Sequence, residues 1–75
     1  MNNLISQVKE IISQKTGISE LDLNENSKPY DFPQWDSLAN LQIYMKICER
    51  IKKIEMEEYF DCKNIKEISE LLVSK

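Results

Sequence analysis

Trp35-Asp36-Ser37-Leu38, running on through Ala39 to Lys53, is the stretch whose reading decides the fold. It sets a serine at the first turn of an amphipathic helix, directly behind a proline-bounded loop. Asp36 and Ser37 are both favourable helix starts, because their side-chain oxygens can accept bonds from the N–H groups that a first turn leaves without partners. The spacing predicts a helix from about Asp36 or Ser37 to Lys53, with Leu38, Leu41, Met45, Cys48 and Ile51 turned inward. Tyr44 and Ile47 widen that apolar stripe, and Ala39, Asn40, Ile43, Lys46 and Arg50 are expected to face outward. Taken alone, Ser37 has an ordinary explanation as a helix cap.

Upstream, Leu4, Ile5, Val8, Ile11 and Ile12 recur at helical spacing opposite Lys9, Glu10, Gln14 and Lys15, so residues 2 to 16 read as an amphipathic helix. Gly17, the sole glycine, stands where a left-handed C-terminal cap is expected, with Ile18 folding back onto the last turn. From Ser19 to Gln34, Asp22, Asn24, Asn26, Ser27, Pro29 and Pro33 predict a long loop with one short turn around Ser19 to Asp22. Leu21, Leu23, Tyr30 and Phe32 are expected to pin it to the body. Loops of this length in compact domains are often functional, and this one leads straight to Ser37.

Downstream of Ile54 and Met56, Glu57-Glu58-Tyr59-Phe60 suits a short third helix. Asn64 followed by Glu67 resembles a capping box, and Ile65, Ile68, Leu71 and Leu72 mark a last helix reaching almost to Lys75. The expectation is an all-α chain of three longer helices and one short one, with a long loop between the first two and no strand.

Composition narrows the chemistry. Seventy-five residues, 41% of them hydrophobic, make one small domain spanning residues 1–75, with a modest core and no room for a deep substrate cavity. A net charge of −3 disfavours nucleic acid as the main partner, since phosphate binding relies on a concentrated basic face. No run of about 20 apolar residues could span a bilayer. Met1-Asn2-Asn3-Leu4 lacks the basic-then-apolar layout of a signal peptide, so the chain reads as cytoplasmic. There is no histidine, which removes the usual general base, the common zinc ligand and every Ser-His or Cys-His nucleophile pair. Cys48 and Cys62 lack CxxC spacing and read as reduced, structural thiols.

In this register of helices, Asp36-Ser37-Leu38 resembles the attachment site of acyl carrier proteins. The resemblance runs over nearly the whole chain: the first helix with its Gly17 stop, the long loop, Asp36-Ser37-Leu38, Ile54-Glu55-Met56, the short third helix, and Asn64-Ile65-Lys66-Glu67-Ile68 in the family's order. It implies a small four-helix bundle of acyl-carrier type that acts as a non-catalytic carrier; the chain is also expected to be a monomer and to bind no metal. Ser37 would receive 4′-phosphopantetheine from coenzyme A in the active site of a separate phosphopantetheinyl transferase, which would supply the magnesium and the base. The arm's thiol would hold an acyl, hydroxyacyl or aminoacyl group as a thioester, loaded by one enzyme and passed to a downstream acyltransferase or synthase. By the same resemblance Asp36 would contact the basic transferase, with helix capping as its alternative role. Leu38 would be an apolar contact beside the serine, with core packing as its alternative. Leu41, Met45 and Ile65 are candidates for lining a space that shelters a short acyl chain.

Two departures set this chain apart from the family's fatty-acid carriers. Their second helix is usually rich in Asp and Glu, whereas this one carries Lys46, Arg50, Lys52 and Lys53 against Glu49. Charge complementarity governs partner choice, so poor docking to enzymes selected for an acidic helix is expected. The serine is also introduced by Pro33-Gln34-Trp35, which is similar to stand-alone carriers of polysaccharide-modifying or secondary-metabolite pathways; a Gly-Gly-x-Ser motif of peptidyl carriers is absent. The rival from another class is a carrier-like helical interaction module without a prosthetic group, in which Ser37 is only a cap. A helix pair binding DNA through Lys46 to Lys53 is a more remote rival.

Overall fold

The apolar stripe of the first segment does build a helix, α1 (Asn2–Thr16), in the computed structural model, which describes residues 2–74. Val8, Ile11 and Ile12 are fully buried, and each such side chain contributes roughly 1.5–3 kcal/mol of burial free energy. Gly17 ends the helix at φ 82°, a left-handed conformation in which a side chain would be strained, and its N–H donates to the Ser13 carbonyl at 2.8 Å. Space does not demand the glycine, because an added Cβ would meet nothing within 4 Å. Ile18 then turns inward and is buried, as expected.

A 3₁₀ turn (Glu20–Asp22) follows, opened by Ser19 Oγ accepting the Leu21 N–H at 3.2 Å. The remaining elements are α2 (Ser37–Arg50), α3 (Met56–Asp61) and α4 (Ile65–Ser74), with no strand among the described residues. Helix α1 packs against both α2 and α4, and the short α3 lies against α4. The sequence-based end of the last helix near Lys75 lies outside the described residues.

The loop between α1 and α2 is held to the core by two of the four side chains expected to do so. Leu23 is buried and Phe32 half-buried, whereas Leu21 is 96% exposed and Tyr30 69% exposed, so neither of those two pins the loop. Leu23 and Phe32 therefore pin the loop to the core as expected, and short polar bonds shape the chain between them. The Asn24 N–H donates to Ser27 Oγ at 2.9 Å, the Ser27 N–H returns to the Asn24 carbonyl at 3.0 Å, and Asn24 Oδ1 accepts the Asn26 N–H at 2.8 Å. Such Asx-type contacts replace a helical or sheet ladder for the backbone they satisfy.

Helix α2 is rotated relative to its expected facing. Ala39, Asn40, Ile43 and Ile47 are buried, with Tyr44, Cys48 and Ile51 half-buried at their flank, while Leu38 is 66% and Met45 59% exposed. The inward ridge follows Asn40, Ile43, Ile47 and Ile51 at helical spacing, which carries Leu38 round to the solvent side. Leu38 is the first apolar residue of the helix and so reads as the start of the buried ridge, whereas a polar Asn40 looks like a surface residue until its partners are known. The helix also ends at Arg50 rather than Lys53: the Ile51 and Lys52 N–H groups both reach the Ile47 carbonyl, at 2.9 and 3.1 Å. The chain then folds back so that buried Ile54 lies under α2, its carbonyl accepting the Tyr44 hydroxyl at 2.8 Å.

The sulfurs stay quiet within this frame. Cys48 and Cys62 are free, and both are half-buried. Burial first, then the nearby Glu67, Asp61, Glu58 and Glu70 carboxylates, pushes the Cys62 thiol up to about 11, which keeps it protonated and unreactive near neutrality. Among the described residues no helix is long and apolar enough to cross a membrane.

Candidate functional site

The start of α2 resolves the competition between its two candidate caps. Asp36 is extended, with φ −98° and ψ −172°, and its Oδ1 accepts the Ala39 N–H at 2.9 Å. Its carbonyl accepts the Asn40 N–H at 2.8 Å. Asp36 is therefore the cap, and Ser37 is the first residue inside the helix, its hydroxyl released from capping. Ser37 is exposed, and its Oγ is hydrogen-bonded to the Tyr30 hydroxyl. The Ser37 and Leu38 N–H groups lie in the turn that has no intrahelical acceptors, at the positive end of the helix dipole, and neither has a protein acceptor among the described hydrogen bonds. Leu38 contributes an apolar side chain beside the serine instead of a core contact.

On its inner side the same turn is held firmly. Trp35 is fully buried, and its Nε1–H donates to Asn40 Oδ1 at 3.2 Å. The Tyr59 hydroxyl of α3 donates to the same oxygen at 2.7 Å. The indole N–H is donor only, so the Asn40 atom it meets must be the oxygen. Burial, helped by the neighbouring Cys62, raises the Tyr59 hydroxyl well above its ordinary value of 10.0, so it stays neutral and donating. Tyr59 also meets the Phe60 ring edge-on with centroids 5.1 Å apart, and Tyr44 with centroids 5.4 Å apart. Asn40 thus links the residue before the cap, the first turn of α2 and α3. Sequence reasoning placed it outward; a buried tryptophan's need for an acceptor was the available signal.

Tyr30 is the other residue whose place at the site sequence reasoning missed. It takes a left-handed conformation, φ 72°, that is uncommon away from glycine, and its N–H donates to the Trp35 carbonyl at 2.9 Å. That bond brings the phenol alongside Ser37.

The expected acyl-lining residues do not share one setting. Leu41 is half-buried and Ile65 fully buried, whereas Met45 lies in an open groove of about 160 Å³ with Lys15, Gln42, Lys46 and Glu49. Three of the four basic residues at the end of α2 and just beyond it make contacts within the chain. Arg50 pairs with Glu10 at 2.9 Å, Lys46 with Glu49 at 3.3 Å, and Lys52 Nζ donates to the Leu72 carbonyl at 3.0 Å near the end of α4. Exposed pairs of this kind are worth at most about 1 kcal/mol each; they balance the charges of Lys46 and Arg50, whereas the Leu72 carbonyl leaves the charge of Lys52 in place.

The chain therefore presents an exposed serine oxygen, open backbone donors and an adjacent phenol in one place, fixed from below by Trp35 and Asn40. Comparison with known proteins found no matching family model, no matching curated protein and no matching solved structure.

Proposed function

We propose that this chain is an acyl carrier protein of a specialised pathway, in which Ser37 is the attachment point for 4′-phosphopantetheine. The observation that carries the reading is that the cap of α2 is filled by Asp36, leaving the Ser37 hydroxyl exposed at a helix start with open N–H groups. A phosphodiester fits there on physical grounds. Its negative charge would meet the N–H groups of Ser37 and Leu38 and the positive end of the dipole, worth about 0.3–1 kcal/mol at an exposed site. The Asp36 carboxylate next door opposes that charge, and its bond to the Ala39 N–H partly occupies it.

Within this reading Ser37 Oγ would bond to phosphorus as the pyrophosphate P–O bond of coenzyme A breaks and adenosine 3′,5′-bisphosphate departs, the serine proton passing to a base of the transferase. The chain needs no histidine of its own for that step. When bound, the arm supplies a thiol that holds cargo as a thioester. The chain's residues then present the arm: Ser37 anchors it, Asp36 fixes the helix start, and exposed Leu38 and Asp36 offer an apolar and an acidic contact to the transferase and to loading and acceptor enzymes. Tethering keeps the cargo at high effective concentration near each partner. A second helix whose cations pair with Glu10 and Glu49 supports partners other than those selected for an acidic helix.

Incubation with a broad-specificity phosphopantetheinyl transferase and coenzyme A, followed by intact-mass measurement, tests the proposal. The parent should gain the mass of one arm and Ser37→Ala none. A parent that stays at the bare mass, or a Ser37→Ala chain that gains it equally, would falsify the carrier reading and favour the interaction-module rival.

A further inference from the structure

We propose that Tyr30 is a positioning residue for Ser37, and that its phenol becomes a hydrogen-bond donor to the phosphodiester once Ser37 is esterified; this rests on the carrier reading above. Tyr30 does not reach the serine through burial, since its side chain is mostly in solvent. It is delivered there by the backbone. The Tyr30 N–H bond to the Trp35 carbonyl ties it to a residue that is itself fully buried and bonded to Asn40, so the phenol hangs from the same support that fixes the first turn of α2.

The chemistry of the serine decides which way the contact runs. While Ser37 keeps its hydroxyl proton, either oxygen can donate to the other. Formation of the Oγ–P bond, with breakage of the coenzyme A pyrophosphate and departure of adenosine 3′,5′-bisphosphate, removes that proton. Oγ is then an acceptor only. The Tyr30 O–H is left to donate, and the acceptors placed beside it are anionic phosphoryl oxygens, which form stronger bonds than a hydroxyl oxygen does. Modification therefore keeps the Tyr30 contact and fixes its direction.

The other tyrosines supply internal controls, because their hydroxyls are committed elsewhere: Tyr44 to the Ile54 carbonyl and Tyr59 to Asn40 Oδ1. The experiment labels the tyrosine Cζ atoms isotopically, converts the protein with transferase and coenzyme A, and follows conversion by intact mass. The expected result is movement of the Tyr30 Cζ resonance on conversion while those of Tyr44 and Tyr59 stay in place. In modified Tyr30→Phe, the phosphorus resonance should shift from its position in the modified parent. A Tyr30 resonance that does not move, or phosphorus resonances that superimpose between parent and Tyr30→Phe, overturns the assignment even though the carrier reading survives. Absence of any mass gain overturns the carrier reading itself, and the Tyr30 role falls with it.

Discussion

Helices α2 and α4 begin with the same device and end up differently. Asp36 Oδ1 accepts the Ala39 N–H at 2.9 Å, and Asn64 Oδ1 accepts the Glu67 N–H at 2.9 Å. At α4 the rest of the chain then closes the remaining donors. The Ile65 N–H reaches the Ser27 carbonyl at 3.0 Å, the Lys66 N–H reaches the Glu25 carbonyl at 2.9 Å, and Glu67 Oε1 returns to the Lys63 N–H at 2.8 Å. At α2 nothing comparable covers Ser37 and Leu38 among the described bonds. A side-chain cap satisfies only one of the orphan donors of a helix start. Whether the rest are free for a ligand depends on where distant segments run, and in this chain they run to α4.

The largest expected effect tests the support beneath the open end. Asn40→Ala removes the acceptor shared by Trp35 and Tyr59 and leaves two buried donors without partners, for a cost of about 3 kcal/mol. Urea denaturation measures it; a loss below about 1 kcal/mol would mean that the first turn of α2 is not anchored through Asn40. The caps come next. Asp36→Ala and Asn64→Ala should each cost about 1 kcal/mol, because each removes one side-chain bond of the same kind. In amide exchange on the parent, Ile65 and Lys66 should be protected at least about tenfold more than Ser37 and Leu38. Equal protection at the two starts would erase the contrast between them.

A last effect, no larger than that of the caps, contrasts the serines of the same two helices. Ser37 is exposed with a partner, whereas Ser69 of α4 is fully buried with an Oγ that makes no hydrogen bond. Ser69→Ala should therefore stabilise the protein by about 1 kcal/mol, since it removes an unsatisfied buried hydroxyl and improves helix propensity. A shift of the urea midpoint downward instead would show that the hydroxyl finds a partner in solution.

The helices were legible in the sequence to the extent that apolar periodicity determined them. α1, the Gly17 stop, the short turn near Glu20, α3 and the Asn64 cap all follow from local pattern. The facing of α2 did not, because its inward ridge includes Asn40, whose burial is compensated by donors 5 and 19 residues away along the chain. Asp36 and Ser37 were equally good caps on paper, and only backbone geometry separated them. Leu21 and Tyr30 look like anchors on hydrophobicity alone, yet both side chains are exposed, and the loop between them is held by buried Leu23 and by the bonds that the Glu25 and Ser27 carbonyls make to α4. Local pattern reads burial well where side chains are apolar and poorly where a polar group is buried with its partner.

The closure of α4 by the carbonyls of Glu25 and Ser27 has a consequence for how the loop can vary. Carbonyl groups belong to every residue type, so side-chain changes at Glu25 leave that contact to α4 in place. Register is another matter. One residue inserted between Glu25 and Ser27 would displace one carbonyl relative to the other while Ile65 and Lys66 stay one helical step apart. The loop that looks most permissive by composition is thereby tolerant of substitution at Glu25 and strict about length.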